Sequence, residues 1–338
     1  MKLSVHIRKQ LADFCLDVDF AIENETLALL GQSGCGKSMT LKCIAGIETP
    51  DEGRITINER VVFDSEHNIN LPIQERKIGF VFQNYALFPN MSVEENIACG
   101  VRDKKQRKEQ TETILKTYDL LSIRHQRPST LSGGQQQRTA FARTMASKPE
   151  LLLLDEPFSA LDRTLKNKML YDLEELLETY RGLVVYVSHD TEEVYQLADT
   201  IGILHEGKLK ESGHKKQLFH HPTTMHGARA AGIENITSIQ RVSDHEVYAK
   251  EWDLYIQTTN TIPQTCMYIG IPTHAIQGCA QCGKTCFPYE ILREIDHLHH
   301  QKVIIKGKGK GTLIAYQHQL RDQPYACIRE EELHFLSE

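Results

Sequence analysis

No run in this chain approaches the roughly 20 consecutive apolar residues that a helix needs to cross a bilayer, which excludes a helical membrane subunit. The N-terminus, Met1-Lys2-Leu3-Ser4-Val5-His6, meets charge at once and lacks the apolar core of a secretory signal. An excess of positive charge is missing too. With 39 Lys and Arg against 45 Asp and Glu, the net charge of −6 gives no reason to expect a nucleic-acid surface. Without leader or span the chain is expected to stay in the cytosol, with its nine cysteines as reduced thiols. Any membrane role must then come through partner chains. What is present is ordinary: 40% apolar and 25% charged residues over 338 positions predict one large globular domain and a smaller one.

Residues 3–7 and 15–22 alternate apolar with polar side chains, as half-buried strands do. Residues 26–30 are continuously apolar after Thr26, which suits a strand buried on both faces. That run feeds Gly31-Gln32-Ser33-Gly34-Cys35-Gly36-Lys37-Ser38, and residues 39–45 then read as a helix stopped by Gly46. In this G-x-x-x-x-G-K-S loop, Gly34 and Gly36 would let backbone N–H groups converge on phosphate oxygens at the positive end of the helix. Lys37 would neutralise phosphate charge, the Ser38 hydroxyl would ligate Mg²⁺, and Cys35 reads as a small filler. A second buried run, 151–154, ends in Asp155-Glu156-Pro157. Asp155 can hold Mg²⁺ directly or through water, and Glu156, projecting the other way, can polarise an attacking water. Residues 92–129 read as mostly helical and charged, 135–146 and 162–180 as helices, and 183–187 as a strand. Strands alternating with helices imply an α/β fold with a mostly parallel sheet. Beyond Gly227 the chain turns to short strands such as 246–249 and 254–257. The expected division is therefore 1–228, with a helical subdomain at about 84–145, and a small β-rich domain over 229–338.

Between the two phosphate-type motifs stands Leu131-Ser132-Gly133-Gly134-Gln135-Gln136-Gln137-Arg138. Together, in this order and spacing, these motifs resemble the ATP-binding-cassette (ABC) ATPases across roughly residues 1–225. The resemblance implies a P-loop fold that hydrolyses ATP with Mg²⁺ as a homodimer. Ser132, Gly133, Gly134 and Gln135 of one copy would meet the γ-phosphate held by the other. Gln83, in Val81-Phe82-Gln83-Asn84, matches the glutamine that contacts Mg²⁺ or water and senses the transport subunit. Ser159-Ala160-Leu161-Asp162 matches the segment that crosses the dimer interface, and His189 matches the switch histidine that contacts the γ-phosphate. Many importer ATPases stack an aromatic on adenine where Arg8 stands here; Phe14 is the substitute, its other reading being core packing.

A stand-alone ATPase with a C-terminal accessory domain resembles the importer branch. Residues 71–89 are similar to members serving molybdate, sulfate, ferric iron, polyamines and sugars, and residues 13–20 look most like molybdate/tungstate ATPases. Residues 268–276 resemble part of small OB/TOBE-like regulatory barrels, with Pro272 and His274 where an Arg and an acid would be expected. The implied setting is peripheral, at the cytoplasmic face of the membrane, on integral permease subunits. A periplasmic or lipid-anchored binding protein would select cargo through them, and nucleic acid has no part. Tyr85, Ala86, Leu87 and Phe88 either pack internally or offer an apolar groove to a permease helix. An ABC ATPase without a transporter is the alternative class, though such proteins carry coiled-coil insertions or tandem cassettes.

Two patterns in the tail invite a reading. Gly278-Cys279-Ala280-Gln281-Cys282-Gly283-Lys284-Thr285 repeats the G-x-x-x-x-G-K-T spacing, but Pro272 interrupts the segment before it and no strand ending in a carboxylate follows. It is rejected as a nucleotide loop. Cys279, Cys282 and Cys286, with Cys266, His274, His297, His299 and His300 nearby, have the spacing of zinc or iron–sulfur ligands, or of unligated reduced thiols on a loop.

Overall fold

The computed structural model describes residues 1–159, 161–281, 283, 285–296, 300–320 and 323–338. Its internal contacts divide the chain into Met1–Lys215 and Lys216–Glu338, ahead of the division expected near Arg229. The difference arises because the segment leading into the tail strands is helical, with helices at Lys215–His220 and Met225–Ala230.

The first unit runs β1 (Lys2–Gln10), β2 (Cys15–Glu23), β3 (Thr26–Leu30), α1 (Lys37–Ala45), β4 (Glu52–Ile57), β5 (Arg60–Asp64), β6 (Ile69–Asn70) and β7 (Ile78–Val81). There follow α2 (Val93–Gly100), α3 (Arg107–Thr117), α4 (Gly133–Ala146), β8 (Leu151–Asp155), α5 (Arg163–Thr179), β9 (Leu183–Ser188), α6 (Thr191–Leu197), β10 (Thr200–His205) and β11 (Lys208–His214). All eleven strands form one sheet in the order β6-β5-β4-β1-β2-β11-β10-β3-β9-β8-β7. The sheet is mixed. From β10 through β3, β9 and β8 to β7 every pairing is parallel. The wing from β2 through β1, β4 and β5 to β6 is antiparallel.

Side-chain pattern decides which part is which. Along β1 and β2 alternate residues are buried, Leu3, Val5 and Ile7 facing Leu16, Val18, Phe20 and Ile22, so one face of this wing meets solvent. By contrast, β3, β8 and β9 are buried at every position, as strands covered on both faces must be. Burying each of Leu151 to Leu154 fully contributes about 1.5–3 kcal/mol. The helical part has its own core of Val93, Ile97, Val101, Leu115, Leu120 and Leu131. Buried Asn96 locks the loop before it, accepting from Phe88 N–H and donating to the Phe88, Met91 and Ser92 carbonyls.

Arg76, which no sequence pattern marked, is fully buried. Its guanidinium donates to the Cys43 and Ile44 carbonyls at the end of α1, to the Leu71 carbonyl and to Asn70 Oδ1. Burial lowers its pKa from the usual arginine value. A cation on the last carbonyls of a helix also favours the macrodipole, so Arg76 pins the far end of the helix that follows the glycine loop.

The second unit contains α7 (Lys215–His220), which starts at the division, then α8 (Met225–Ala230), β12 (Asn235–Ser243), β13 (Glu246–Ala249), β14 (Leu254–Gln257) and β15 (Tyr268–Ile271). After these come β16 (Ile276–Cys279), β17 (Cys286–Pro288), β18 (Glu290–Asp296), β19 (Gln301–Lys306), β20 (Leu313–Tyr316), α9 (Gln317–Leu320), β21 (Tyr325–Ile328) and β22 (His334–Leu336). They form sheets ordered β14-β13-β12-β15-β22, β16-β21-β17 and β18-β19-β20. Val247, Trp252, Ile269, Phe287, Ile305 and Ala326 are among the residues of their shared core.

Candidate active site

The parallel neighbours β3, β9 and β8 end on the same edge of the sheet, and each delivers one motif there: the Gly31–Ser38 loop, Ser188-His189 and Asp155-Glu156. In open parallel sheets this edge is where ligands bind. The loop closes onto α1, whose N-cap is Gly36 with no side-chain cap. The first backbone N–H groups of the helix therefore keep their donors for an anion. Gly36 has φ 110°, and a Cβ there would meet Leu16 Cδ1 at 2.8 Å and the Phe14 ring at 3.4 Å. Phe14 is thus beside the loop, packed partly into the core. A Cβ on Gly31 would collide with the Leu204 carbonyl at 2.3 Å. Gln32, Ser33 and Gly34 are exposed, whereas Cys35 is buried and its thiol pKa is raised by burial, which suits a filler.

Lys37 is only 4% exposed. Its ammonium donates to the Gly31 carbonyl at 2.8 Å and the Gln32 carbonyl at 2.9 Å, so the loop clasps its own cation. Ser38 Oγ donates to Asp155 Oδ1 at 2.6 Å. Burial raises the Asp155 pKa, against the Ser38 hydrogen bond and the nearby Lys42 and Lys37 charges. A hydroxyl and a carboxylate in contact are the hard oxygen donors that Mg²⁺ prefers.

Glu156 turns the chain out of β8 with φ 43°, its N–H donating to the Val187 carbonyl. The carboxylate faces the His189 ring, Oε2 to Nδ1 3.4 Å. The Glu156 carbonyl accepts from both the N–H and the Oγ of Ser159, at 3.2 and 3.0 Å. Gln83, just past β7, donates to the same Ser159 Oγ at 3.1 Å. The structure therefore brings Lys37, Ser38, Gln83, Asp155, Glu156 and His189 to one edge. Asp162 caps α5, accepting from Thr164 and Leu165 N–H; Ala160 lies outside the described residues.

Beneath His189 is a buried polar network that sequence reasoning missed. Glu193 accepts from the Tyr186 hydroxyl and from Ser188 Oγ, and pairs with Lys166 at 2.5 Å. Lys166 also pairs with Asp190, whose carboxylate caps α6. Burial opposes the charge on Lys166, yet its hydrogen bonds to Asp190 and Glu193 raise its pKa. Burial beside Glu193 pushes the Tyr186 phenol well above its usual range. Asp190 and Glu193, three apart at a helix start, are the capping pattern that could have signalled it.

Ser132 to Gln135 form a separate constellation. Ser132 and Gln135 make a reciprocal capping box at the start of α4. A Cβ on Gly133 would meet Leu161 at 3.2 Å and one on Gly134 would meet Leu165 at 3.0 Å, so both glycines let α4 approach the start of α5. Among the described residues no hydrogen bond or ion pair joins this segment to Lys37, Asp155, Glu156 or His189. Nearer β7, Arg143 donates to the Ala86 and Tyr85 carbonyls and lies 5.4 Å from the Phe88 ring centroid. This holds Phe88 exposed, with Leu87 half-buried and Tyr85 buried.

The tail corrects one expectation and extends another. The cysteines are not all thiols: Cys286 and Cys327 face each other across β17 and β21 and form a disulfide. The expected metal set also changes. Cys279 and Cys286 are brought together, Cys327 joins them, and the three sulfurs lie within 4.8 Å of one another. Cys282, Lys284, His297 and His299 lie outside the described residues. Cys266 donates to the Tyr268 carbonyl, His274 pairs with Glu332, and His300 meets the Tyr316 ring edge-on.

A family profile for ABC transporters matches residues 16–159. The chain is 41% identical over 232 residues to the spermidine/putrescine import ATP-binding protein PotA of Clostridium acetobutylicum, covering 68% of this chain and 64% of that protein. It is 36% identical over 299 residues to PotA of Aggregatibacter actinomycetemcomitans, covering 86% of this chain and 75% of the relative. The molybdenum import ATP-binding protein ModC of Vibrio parahaemolyticus is 40% identical over 223 residues, 65% of this chain and 59% of its own length. Thus this chain spans somewhat less than two thirds of the Clostridium and Vibrio proteins. Among solved structures it is similar to the dimeric post-hydrolysis ATP-binding cassette MJ0796 bound to ADP and Pi. That likeness has a TM-score of 0.54 and 28% identity, and covers 64% of this chain and 99% of the other.

Proposed function

We propose, for a chain that belongs to the ABC transporter family, that it hydrolyses Mg-ATP as a homodimer and so powers import through a membrane permease. The observation that carries this reading is the convergence of Lys37, Ser38, Asp155, Glu156 and His189 on one sheet edge, with Ser132–Gln135 forming a separate, capped helix start. Neither constellation closes on the other within one chain, which suits completion by a second copy.

Backbone N–H groups of the Gly31–Ser38 loop and the Lys37 ammonium take the β- and γ-phosphates. Phe14 is the proposed support for adenine. Ser38, Asp155 and Gln83 would hold Mg²⁺, which neutralises phosphate charge when bound. Glu156 takes the proton of the attacking water, and His189, oriented by Glu156, contacts the γ-phosphate. The Lys166–Asp190–Glu193 network, buried at Glu193 and half-buried at Lys166 and Asp190, fixes the turn that carries His189. Through Ser159, Gln83 touches the Glu156 turn, and the exposed Phe88 with Leu87 is proposed to seat a permease helix. A Leu87→Asp variant that still binds ATP should lose membrane association; unchanged transport would remove that role. The resulting place is peripheral, on the permease; no helix of the described residues is long and apolar enough to cross a membrane.

For cargo, a polyamine is the first reading. The PotA match over 299 residues necessarily runs past the 215 residues of the first unit into the tail. Molybdate, the expectation from residues 13–20, is the second reading and is supported by the ModC likeness. Uptake of labelled spermidine and of molybdate, compared in cells lacking the gene and in cells restored with wild type or Glu156→Gln, separates them. Loss of spermidine uptake alone supports the first; loss of molybdate uptake alone supports the second. If both persist, the importer reading fails for these cargoes.

A further inference from the structure

The sulfur cluster in the second unit is made by register. In the sheet β16-β21-β17, Gln277 of β16 and Cys286 of β17 both pair with Cys327 of β21, on its two sides. Directly paired antiparallel residues share a face, and so do positions two apart along a strand. Cys279, two beyond Gln277, therefore shares the face of Cys327 and Cys286. Three sulfurs from three strands meet there within 4.8 Å. Cys279 and Cys286 are half-buried and Cys327 is buried. Beside it, a Cβ on Gly283 would come within 3.2 Å of Cys286 Sγ.

We propose that, once the Cys286–Cys327 disulfide is reduced, Cys279, Cys286 and Cys327 bind one Zn²⁺ as three thiolates, with water in the fourth position. Thiolate donors select soft and borderline cations, and three protein ligands plus water complete a tetrahedron. Tetrahedral Zn–S bonds place sulfurs about 3.8 Å apart, so the Cys286 and Cys327 sulfurs, once reduced, separate to that spacing while Cys279 moves inward by about an ångström. The chemistry balances. A phosphine and one water cleave the S–S bond to two thiols and phosphine oxide; Zn²⁺ then displaces one proton from each of three thiols. The site belongs to the second unit and the nucleotide motifs to the first, and the proposal does not depend on the reading of those motifs.

The test uses the full chain, reduced anaerobically with a phosphine, loaded with Zn²⁺ and dialysed, with a parallel Co²⁺ sample. About one Zn²⁺ per chain and an intense thiolate-to-Co²⁺ charge-transfer band are expected. Both should be lost in Cys279→Ser and kept in Cys266→Ser, whose thiol bonds elsewhere. Because Cys327→Ser could disturb the core, Cys279→Ser is the decisive variant, with far-UV circular dichroism and thermal unfolding as its folding readout. No retained metal in the reduced wild type, or the same metal content in Cys279→Ser, overturns the proposal.

Discussion

Two segments of this chain spell the same pattern, Gly31–Ser38 and Gly278–Thr285, and the fold gives them opposite surroundings. The first leaves a fully buried parallel strand and enters an uncapped helix beside two carboxylates. The second leaves β16, an outer strand of a three-stranded antiparallel sheet, and leads into another strand, β17, with a disulfide at its start. A strand, β17, and not a helix opens after the second loop, so it is not followed by the aligned N–H donors of a helix start. Spacing alone does not make a phosphate site; the helix start and the facing acids do.

Changes can be chosen to break that contrast. The largest effect is expected at Glu156→Gln: ATP binding is retained while kcat falls by about 10²–10⁴, and near-normal turnover would leave the first loop without its proposed base. Next, Lys37→Ala should lower ATP turnover by about 10²–10³, while Lys284→Ala leaves nucleotide titrations and turnover unchanged. A loss in the second variant would erase the distinction between the loops.

The glycines sharpen it further. In Gly278→Ala the new Cβ would sit 1.9 Å from the Leu320 carbonyl, so thermal unfolding should shift downward while ATP binding to the chain persists. In Gly36→Ala, at φ 110°, about 1–3 kcal/mol of backbone strain falls on the first loop itself, and ATP affinity should drop with stability. The smallest effect is expected at Ser132→Ala, where loss of the capping box costs about 0.5–2 kcal/mol. A two-chain site would show it as weaker ATP-dependent dimerisation in sedimentation; dimerisation identical to wild type would count against the trans contact.

Much of the first unit was legible because its signals are local. Leu151 to Leu154 followed by two acids, and Thr26 to Leu30 followed by glycines, each carry strand, turn and chemistry within a dozen residues. The mixed sheet was less so. Alternation in β1 and β2 marked half-buried strands, but alternation alone does not reveal which partners pair. What stayed hidden is non-local. Arg76 reaches the end of α1 across more than thirty positions, and Cys327 meets Cys286 from 41 residues away. Glu193 reads as one more surface acid on a helix until Lys166, Tyr186 and Ser188 close around it. The Ser159 contacts with Gln83 and Glu156 are likewise set by the turn after β8.

The clasp of Lys37 on the Gly31 and Gln32 carbonyls has a consequence for discrimination. Any incoming group must displace hydrogen bonds that the ammonium already makes, so Lys37 acts by exchange of partners. A neutral oxygen swaps one carbonyl-like acceptor for another and gains little. An anionic phosphoryl oxygen adds the attraction of opposite charges to the hydrogen bond, which a carbonyl does not offer the ammonium, and wins the exchange. The clasp is thus a threshold: it ignores polar groups in general and yields to negative charge.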